Sequence, residues 1–163
     1  MFIKVDAYSA KYAKALADIY NYYVVNTTAT FEEKPLKPRD FAKRLKLISA
    51  RYPVLVLVYD DEPVGYAYLN EFNPRSAYRH TADLSIYIDR SYTSSGFGEK
   101  LLDKLIRIAK ERGIKRIVSV ITEDNEASLC FHEKQGFRNC GTLEGVGEKF
   151  GKTFGVSYYL KTI

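Results

Sequence analysis

The chain has 163 residues, of which 46% are hydrophobic and 28% charged, with a net charge of +5. This length and composition are typical of one globular domain, so we expect residues 1–163 to fold as a single domain. No apolar run is long enough to cross a membrane and no signal-peptide pattern opens the chain, which favours a soluble, cytoplasmic protein without a membrane partner. The basic residues are scattered and match no nucleic-acid-binding motif, so we predict no nucleic-acid partner.

The first part of the chain predicts strands and helices in alternation. Apolar residues recur at helical spacing after Ser9, and the pattern ends in the polar run 26–30. Two later apolar runs are joined by Asp60-Asp61-Glu62-Pro63, the pattern of a hairpin. The predicted elements are a strand at 2–5, a helix from Ser9, a second helix at 40–49, and hairpin strands at 54–59 and 64–69.

The stretch 81–112 predicts a strand, a glycine loop and a helix. Residues 81–88 alternate, with Leu84, Ile86 and Ile88 on one side, and a long amphipathic run follows Gly96-Phe97-Gly98. Glycines at a helix start let backbone amides approach a ligand closely, and the free N–H groups there favour an anion. We therefore predict a phosphate-binding turn at this helix start.

The remaining chain predicts two strands around a helix. Residues 117–121 form a strand that a crossover helix makes parallel to the central one, Asn125 is a good N-cap, and Gly136 ends the helix. We expect 141–154 to be a glycine-rich loop and 156–160 to be the last strand. Cys130 and Cys140 lack the spacing of a zinc site, so we predict buried, unreactive cysteines and no metal.

The motif order resembles the GNAT superfamily of N-acetyltransferases. Gly96-x-Gly98 is followed by Asn125-x-x-Ser128-x-x-Phe131-His132-Glu133-Lys134-x-Gly136-Phe137. Further segments are similar to phosphinothricin and methionine sulfoximine acetyltransferases; they are Ile19 to Tyr23, Thr28 to Phe31, Arg75-x-Ala77-Tyr78, Thr81-Ala82-Asp83, His132-Glu133 and Gly147-x-Lys149-x-Gly151.

The resemblance implies an α/β (α+β) fold with a mixed, mostly antiparallel sheet that splays beside the central strand, flanked by helices. It implies acetyl-CoA as co-substrate and a small primary amine as acceptor. The cofactor-binding residues that it implies are Ile86, Tyr87 and Ile88 for the acetyl and pantetheine end, Ser94, Ser95, Gly96, Phe97, Gly98, Glu99 and Lys100 for the pyrophosphate, and Asn125 and Ser128 near the pantetheine arm.

Asp83 and His132 are the predicted catalytic residues. Similar enzymes carry Glu at the position of Asp83, which would take the amine proton through a water or with a pKa raised by burial. The alternative is a carboxylate that only binds the ammonium. His132 stands where many GNAT enzymes have a tyrosine that protonates the departing thiolate. The alternative is a histidine that packs beside Phe137.

Three residues are predicted to bind the acceptor. Arg75 suits a carboxylate, phosphinate or sulfoximine because its guanidinium can form two parallel bonds, and Tyr78 and Phe31 would line the pocket. Each could instead be a surface or packing residue. The chain departs from the resembling enzymes at Thr153-Phe154-Gly155, where they carry Trp-His-Asp, and the glycine loop has Thr93 and Ser95 where basic or amide side chains are usual.

The sequence therefore predicts direct acetyl transfer, in a ternary complex, to a small amino acid or analogue. Two alternatives stay open. One is acetylation of a peptide, protein or polyamine, and the other is a CoA-binding regulatory module without turnover. A homodimer is compatible with the aromatic surplus of 14 tyrosines and 9 phenylalanines.

Overall fold

A computed structural model describes residues 1–163, which form one seven-stranded sheet with helices on both faces. The strands are β1 (Ile3–Ala7), β2 (Val54–Tyr59), β3 (Glu62–Glu71), β4 (Thr81–Ile88), β5 (Arg116–Thr122), β6 (Arg138–Lys149) and β7 (Lys152–Thr162). The helices are α1 (Ala13–Asn26), α2 (Pro38–Ser49), α3 (Phe97–Glu111) and α4 (Glu126–Lys134), with short 3₁₀ turns at Ala10–Tyr12, Ser76–Tyr78 and Arg90–Tyr92.

The sheet order is β1-β2-β3-β4-β5-β7-β6, and every neighbouring pair is antiparallel except β4 and β5. The single parallel pair is the one joined through α3, because a crossover helix returns the chain to the same end of the sheet. The predicted mixed, mostly antiparallel sheet is confirmed.

Alternation along β4 gives the sheet its two faces. Leu84, Ile86 and Ile88 pack with α3 in one hydrophobic cluster, whereas Tyr87 packs with α1 and α2 in another. Since successive strand residues point to opposite faces, Asp83 lies on the same side as Tyr87. We call this side the α1/α2 face and the other the α3/α4 face.

The sheet opens between its two parallel strands. β4 and β5 pair only from Thr81/Arg116 to Asp83/Val118, yet β4 continues to Ile88 and β5 to Thr122. Beyond Asp83 the backbone of β4 on the β5 side therefore has no strand partner. We call this opening the V and the Asp83/Val118 pair its apex.

The stretch 141–154, expected to be a loop, is instead most of a β-hairpin formed by β6 and β7. The strand alternation is hidden because the pairing register shifts between Asn139 and Thr142 and again between Leu143 and Gly147. The turn is Phe150-Gly151, with φ of 54° and 71°, the positive pair that a tight hairpin turn needs.

Both cysteines are exposed, which corrects the expectation that they would be buried. Cys140 lies on β6, the edge strand, whose residues are almost all exposed, and Cys130 lies on α4, whose only buried residue is His132. None of the helices is long and apolar enough to span a bilayer.

Candidate active site

Asp83 lies at the apex of the V. Its strand partners are Asn70 on β3 and Val118 on β5, and the pairing between β4 and β5 stops at this residue. Burial raises the pKa of Asp83 to about 6, although a hydrogen bond from the backbone N–H of Leu84 acts in the opposite direction. A carboxyl group with this pKa is partly protonated at neutral pH and can exchange a proton with a nearby amine.

The strand segment Ile86–Ile88 lines one arm of the V. Because it lies beyond the last β4–β5 pair, its backbone groups on that side are free to pair with an extended ligand. At the far end of the segment, the hydroxyl of Tyr23 on α1 donates to the carbonyl oxygen of Ile88. Burial raises the pKa of Tyr23 to about 12, so this hydroxyl keeps its proton at neutral pH.

The glycine turn begins α3 immediately after β4. Gly96 is the N-cap residue with φ 77°, and Ser94 before it has φ 63°, so the chain bends sharply into the helix. The first amides of α3 have no intrahelical partner and point out of the helix end. Phe97 was predicted to help bind the pyrophosphate. Its side chain is 7% exposed and packs in the core, so only its backbone can face a ligand.

Gly98 keeps the helix start close to α4. A Cβ atom at Gly98 would lie 3.2 Å from the ring of Phe131, so a larger residue would require this ring to shift. Asn125 caps α4, its Oδ1 accepting from the backbone N–H of Ser128 at 3.2 Å. The predicted cofactor residues are thus distributed along one path from the V to the starts of α3 and α4.

His132 lies on the α3/α4 face and is 2% exposed. Its Nδ1 is 2.7 Å from the carbonyl oxygen of Ser128, its Nε2 is 2.9 Å from Oγ of Ser119, and its ring packs edge-on against Phe137. Desolvation by burial lowers the pKa of His132, which keeps the ring neutral. This arrangement favours the packing alternative, and the proton-donor role stays a prediction.

Ser119 is a polar residue that sequence reasoning missed. It follows Val118 on β5, directly past the apex, and it is 4% exposed. The only signal in the sequence is a single hydroxyl inside the apolar run Ile117 to Ile121. A serine in such a run is normally interpreted as a small core residue, because the sequence does not reveal its hydrogen-bond partner, His132.

A cavity of about 580 Å³ lies beside the wide end of the V. Its walls come from the end of α1, the segment after it, the start of α4 and the tip of the β6–β7 hairpin. The lining residues are Tyr23, Asn26, Thr27, Thr28, Ala29, Asp124, Asn125, Phe150, Lys152 and Phe154. Asn125 thus connects the predicted cofactor path to this space.

The three predicted acceptor residues are not brought together. Phe31 lies against Gly147 of β6, next to the cavity-lining segment, whereas Arg75 and Tyr78 lie in the β3–β4 connection at the start of β4. Tyr78 is 42% exposed and packs edge-on against Phe72. Asp83 lies on β4 itself, two residues after the start of the strand.

The chain matches the model of the Acetyltransferase (GNAT) family over residues 16–137. It is 36% identical to a phosphinothricin N-acetyltransferase from Alcaligenes faecalis, over 85% of this chain and 71% of that protein. The predicted resemblance to phosphinothricin acetyltransferases is thereby confirmed.

Two solved structures share the fold over nearly the whole chain. One is a GNAT superfamily phosphinothricin acetyltransferase from Sinorhizobium meliloti in complex with acetyl-CoA, with a TM-score of 0.94, 27% identity, and coverage of 100% of this chain and 89% of that chain. The other is a ribosomal-protein-alanine N-acetyltransferase from Brucella melitensis, with a TM-score of 0.94, 33% identity, and coverage of 98% and 99%. With its splayed sheet, glycine turn and capped α4, the chain belongs to the GNAT family of N-acetyltransferases.

Proposed function

We propose that the chain transfers the acetyl group of acetyl-CoA to the α-amine of a small amino acid or analogue of the phosphinothricin or methionine sulfoximine kind. The observation that carries this proposal is the V, with a partly buried carboxyl group at its apex. An extended pantetheine arm can pair with the free backbone of Ile86–Ile88, and the N-terminal amides of α3 suit a pyrophosphate. The similarity to phosphinothricin acetyltransferases supports the acceptor class.

In this proposal each polar group at the V has one task. Bound acetyl-CoA supplies the activated acyl group. The amine attacks the acyl carbon directly, the C–S bond breaks, and CoA leaves as a thiolate that takes a proton from solvent. Asp83, with its pKa of about 6, takes the amine proton, directly or through a water. The backbone amides near Tyr87 and Ile88 stabilise negative charge on the thioester carbonyl oxygen. Asn125 and Ser128 hold the pantetheine arm at the start of α4.

No covalent acyl-enzyme is needed. Cys130 and Cys140 are exposed, on α4 and on the edge strand β6. Ser119 lies next to the apex, but its hydroxyl is engaged with His132. Direct transfer in a ternary complex therefore fits the geometry better than a relay through a nucleophilic side chain.

The test is an assay of CoA thiol release from acetyl-CoA with a panel of amines. We expect turnover with amino acids or with phosphinothricin or methionine sulfoximine, and little turnover with polyamines, which carry only positive charge. A protein that binds CoA but releases no thiol with any amine would be a CoA-binding module and would contradict the proposal.

A second candidate is acetylation of a peptide N-terminus, favoured by the similarity to the ribosomal-protein-alanine N-acetyltransferase. Both acceptors present an α-amine, so Asp83 would act in the same way. The two differ at the carboxylate, which a free amino acid has and a peptide has only at its far end. Comparing alanine with an alanine-led tetrapeptide in the same assay separates them.

We also infer a cytoplasmic enzyme of one domain that forms a homodimer. The α1/α2 face over β5, β6 and β7 carries no helix and has exposed apolar side chains at Val120, Leu143 and Tyr158. Such a patch is typical of an interface. Light scattering on the purified protein gives its mass directly, and a mass of 18.7 kDa would contradict the dimer.

A further inference from the structure

Lys149, the last residue of β6, is a lysine that the fold encloses. It is 2% exposed and forms no salt bridge. Its Nζ donates to the carbonyl oxygens of Thr27 and Thr30, each at 2.7 Å. Burying an ammonium group is unfavourable unless it is hydrogen-bonded, so the two carbonyls account for its presence there. Desolvation by burial lowers the pKa of Lys149, consistent with this enclosure.

The two carbonyls belong to one segment, Thr27–Phe31, which we call the acceptor loop. It follows α1 and contains three of the residues that line the cavity, Thr27, Thr28 and Ala29. Its other side is bonded to the end of β5 and the residues after it. There Thr122 donates to the carbonyl oxygen of Thr28 at 2.6 Å, and Thr28 donates to Asp124 at 2.6 Å.

A second contact fixes the end of the acceptor loop. The ring of Phe31 lies so close to Gly147 that a Cβ atom there would be 2.1 Å from the ring. Gly147 and Lys149 are two residues apart on β6, so they lie on the same face of the strand. Lys149 holds the loop through its ammonium group, and Gly147 leaves room for the ring of Phe31 because it has no side chain.

The same lysine also contacts the opposite wall of the cavity. Its Nζ lies 5.1 Å from the ring centroid of Phe150, a cation–π distance. Phe150 is the first residue of the hairpin turn, and its φ of 54° belongs to that turn. One ammonium group thus connects both walls, the acceptor loop and the hairpin tip.

We propose that Lys149 is a positioning residue that fixes the acceptor loop against the β6–β7 hairpin, and that together with Gly147 it sets the size of the acceptor site. The inference rests on the proposed function, because Phe31 borders the acceptor only if the amine binds on this side of the V. Lys149 contacts neither the glycine turn nor β4, so its influence is confined to the acceptor side.

The test is the Lys149→Met variant, which keeps the length of the side chain and removes its ammonium group. With methionine sulfoximine as acceptor, we expect the KM for the acceptor to rise about tenfold or more and the KM for acetyl-CoA to stay within about twofold. The matched control is Lys161→Met. Lys161 also bonds a backbone carbonyl, that of Gln135 at 2.6 Å, but at the far end of β7. This control should change neither constant.

A second variant, Gly147→Ala, perturbs the same loop without touching the ammonium group. Its Cβ must displace the ring of Phe31, so the acceptor KM should again change while the acetyl-CoA KM does not. Equal changes in both constants, or an unchanged acceptor KM in a folded Lys149→Met protein, would overturn the proposal.

Hydrogen exchange of the peptide covering residues 27–31 tests the role of Lys149 independently of the proposed enzymatic function. Faster exchange in Lys149→Met than in Lys161→Met is expected whether or not the wild-type protein acetylates amino acids. A wild-type protein without turnover would defeat the proposed function alone. Unchanged exchange in Lys149→Met would defeat the role of Lys149.

Discussion

Oγ of Ser119 lies 2.9 Å from Nε2 of His132, while Nδ1 of the same ring lies 2.7 Å from the carbonyl oxygen of Ser128. A carbonyl oxygen only accepts, so Nδ1 carries the proton. In a neutral ring Nε2 is then an acceptor, and the hydroxyl of Ser119 donates to it. Both ring nitrogens are satisfied inside the protein, which leaves no ring proton directed into the V.

This relationship predicts the tautomer and the charge of His132. At pH 7 we expect nitrogen-15 NMR to show a protonated Nδ1 and an unprotonated Nε2. Because burial lowers the pKa of His132, more than half of the rings should still be neutral when the pH falls to the ordinary histidine value of 6.5. A ring that is protonated at both nitrogens at pH 7 would contradict the prediction and restore the proton-donor role.

The kinetic counterpart is the His132→Phe variant. Its loss of stability should be about 2 kcal/mol, because Ser119 and the carbonyl of Ser128 lose their partner in a buried site. Among molecules that remain folded, we expect the pH–rate profile to keep the wild-type shape. Loss of the alkaline limb would instead show that His132 protonates the thiolate.

Asp83 should control the acidic limb of the pH–rate profile. With its pKa raised to about 6 by burial, kcat/KM is expected to rise with pH through that value as the carboxyl group ionises. Asp83→Asn should lower kcat by about a hundredfold or more and remove this limb. Asp103→Asn, an exposed carboxylate on α3, is the control. Near-wild-type turnover in Asp83→Asn would remove Asp83 from the mechanism.

Ionisation of Asp83 should also affect stability, and in the opposite direction: activity rises with pH, whereas the contribution of Asp83 to folding stability falls. A folded-state pKa above the usual 3.8 means that folding favours the protonated carboxyl group. Its contribution to stability is therefore present at low pH and is lost as the pH rises through about 6. In thermal melts, Asp83→Asn should be at least as stable as wild type at pH 8 and should lose that advantage below pH 5. A variant less stable at pH 8 would argue for a structural carboxylate.

Gly96 and Gly113 provide a matched pair at the two ends of α3. Both have positive φ, 77° and 82°, so alanine at either position should cost about 1 kcal/mol of backbone strain. Only Gly96 belongs to the turn that presents free amides. We expect Gly96→Ala to weaken CoA binding about tenfold by calorimetry, and Gly113→Ala to leave it unchanged. Equal affinities for CoA would show that Gly96 only shapes the turn.

Local patterns predicted most of the frame. The alternation of β4, the glycine turn before α3 and the Asn125 cap are each determined by residues close together in sequence, and the structure has all three. The β6–β7 hairpin was not predicted because its register shifts break the alternation that marks a strand.

The contacts between side chains in the site could not be predicted from the sequence. Ser119 meets His132 only because β5 and α4 pack together, and Lys149 meets Thr27 across 122 positions. In the sequence, Lys149 stood out only as part of the segment Gly147-x-Lys149-x-Gly151, inside a stretch expected to be a loop, and Ser119 looked like a small core residue. Their burial and their partners depend on tertiary packing, which local sequence patterns do not reveal.

Arg75 gives the last prediction, since it is exposed at the start of β4 and its guanidinium forms no salt bridge. If it binds the acceptor carboxylate, Arg75→Ala should raise the KM for an amino acid about ten- to a hundredfold, the usual worth of a charge-assisted bond. The KM for acetyl-CoA should not change. The KM for an amine without a carboxylate should not change in Arg75→Ala. The control variant Arg107→Ala, on the exposed side of α3, should change neither the acceptor KM nor the acetyl-CoA KM. An equal rise for both acceptors would show that Arg75 shapes the β3–β4 connection and does not contact the acceptor.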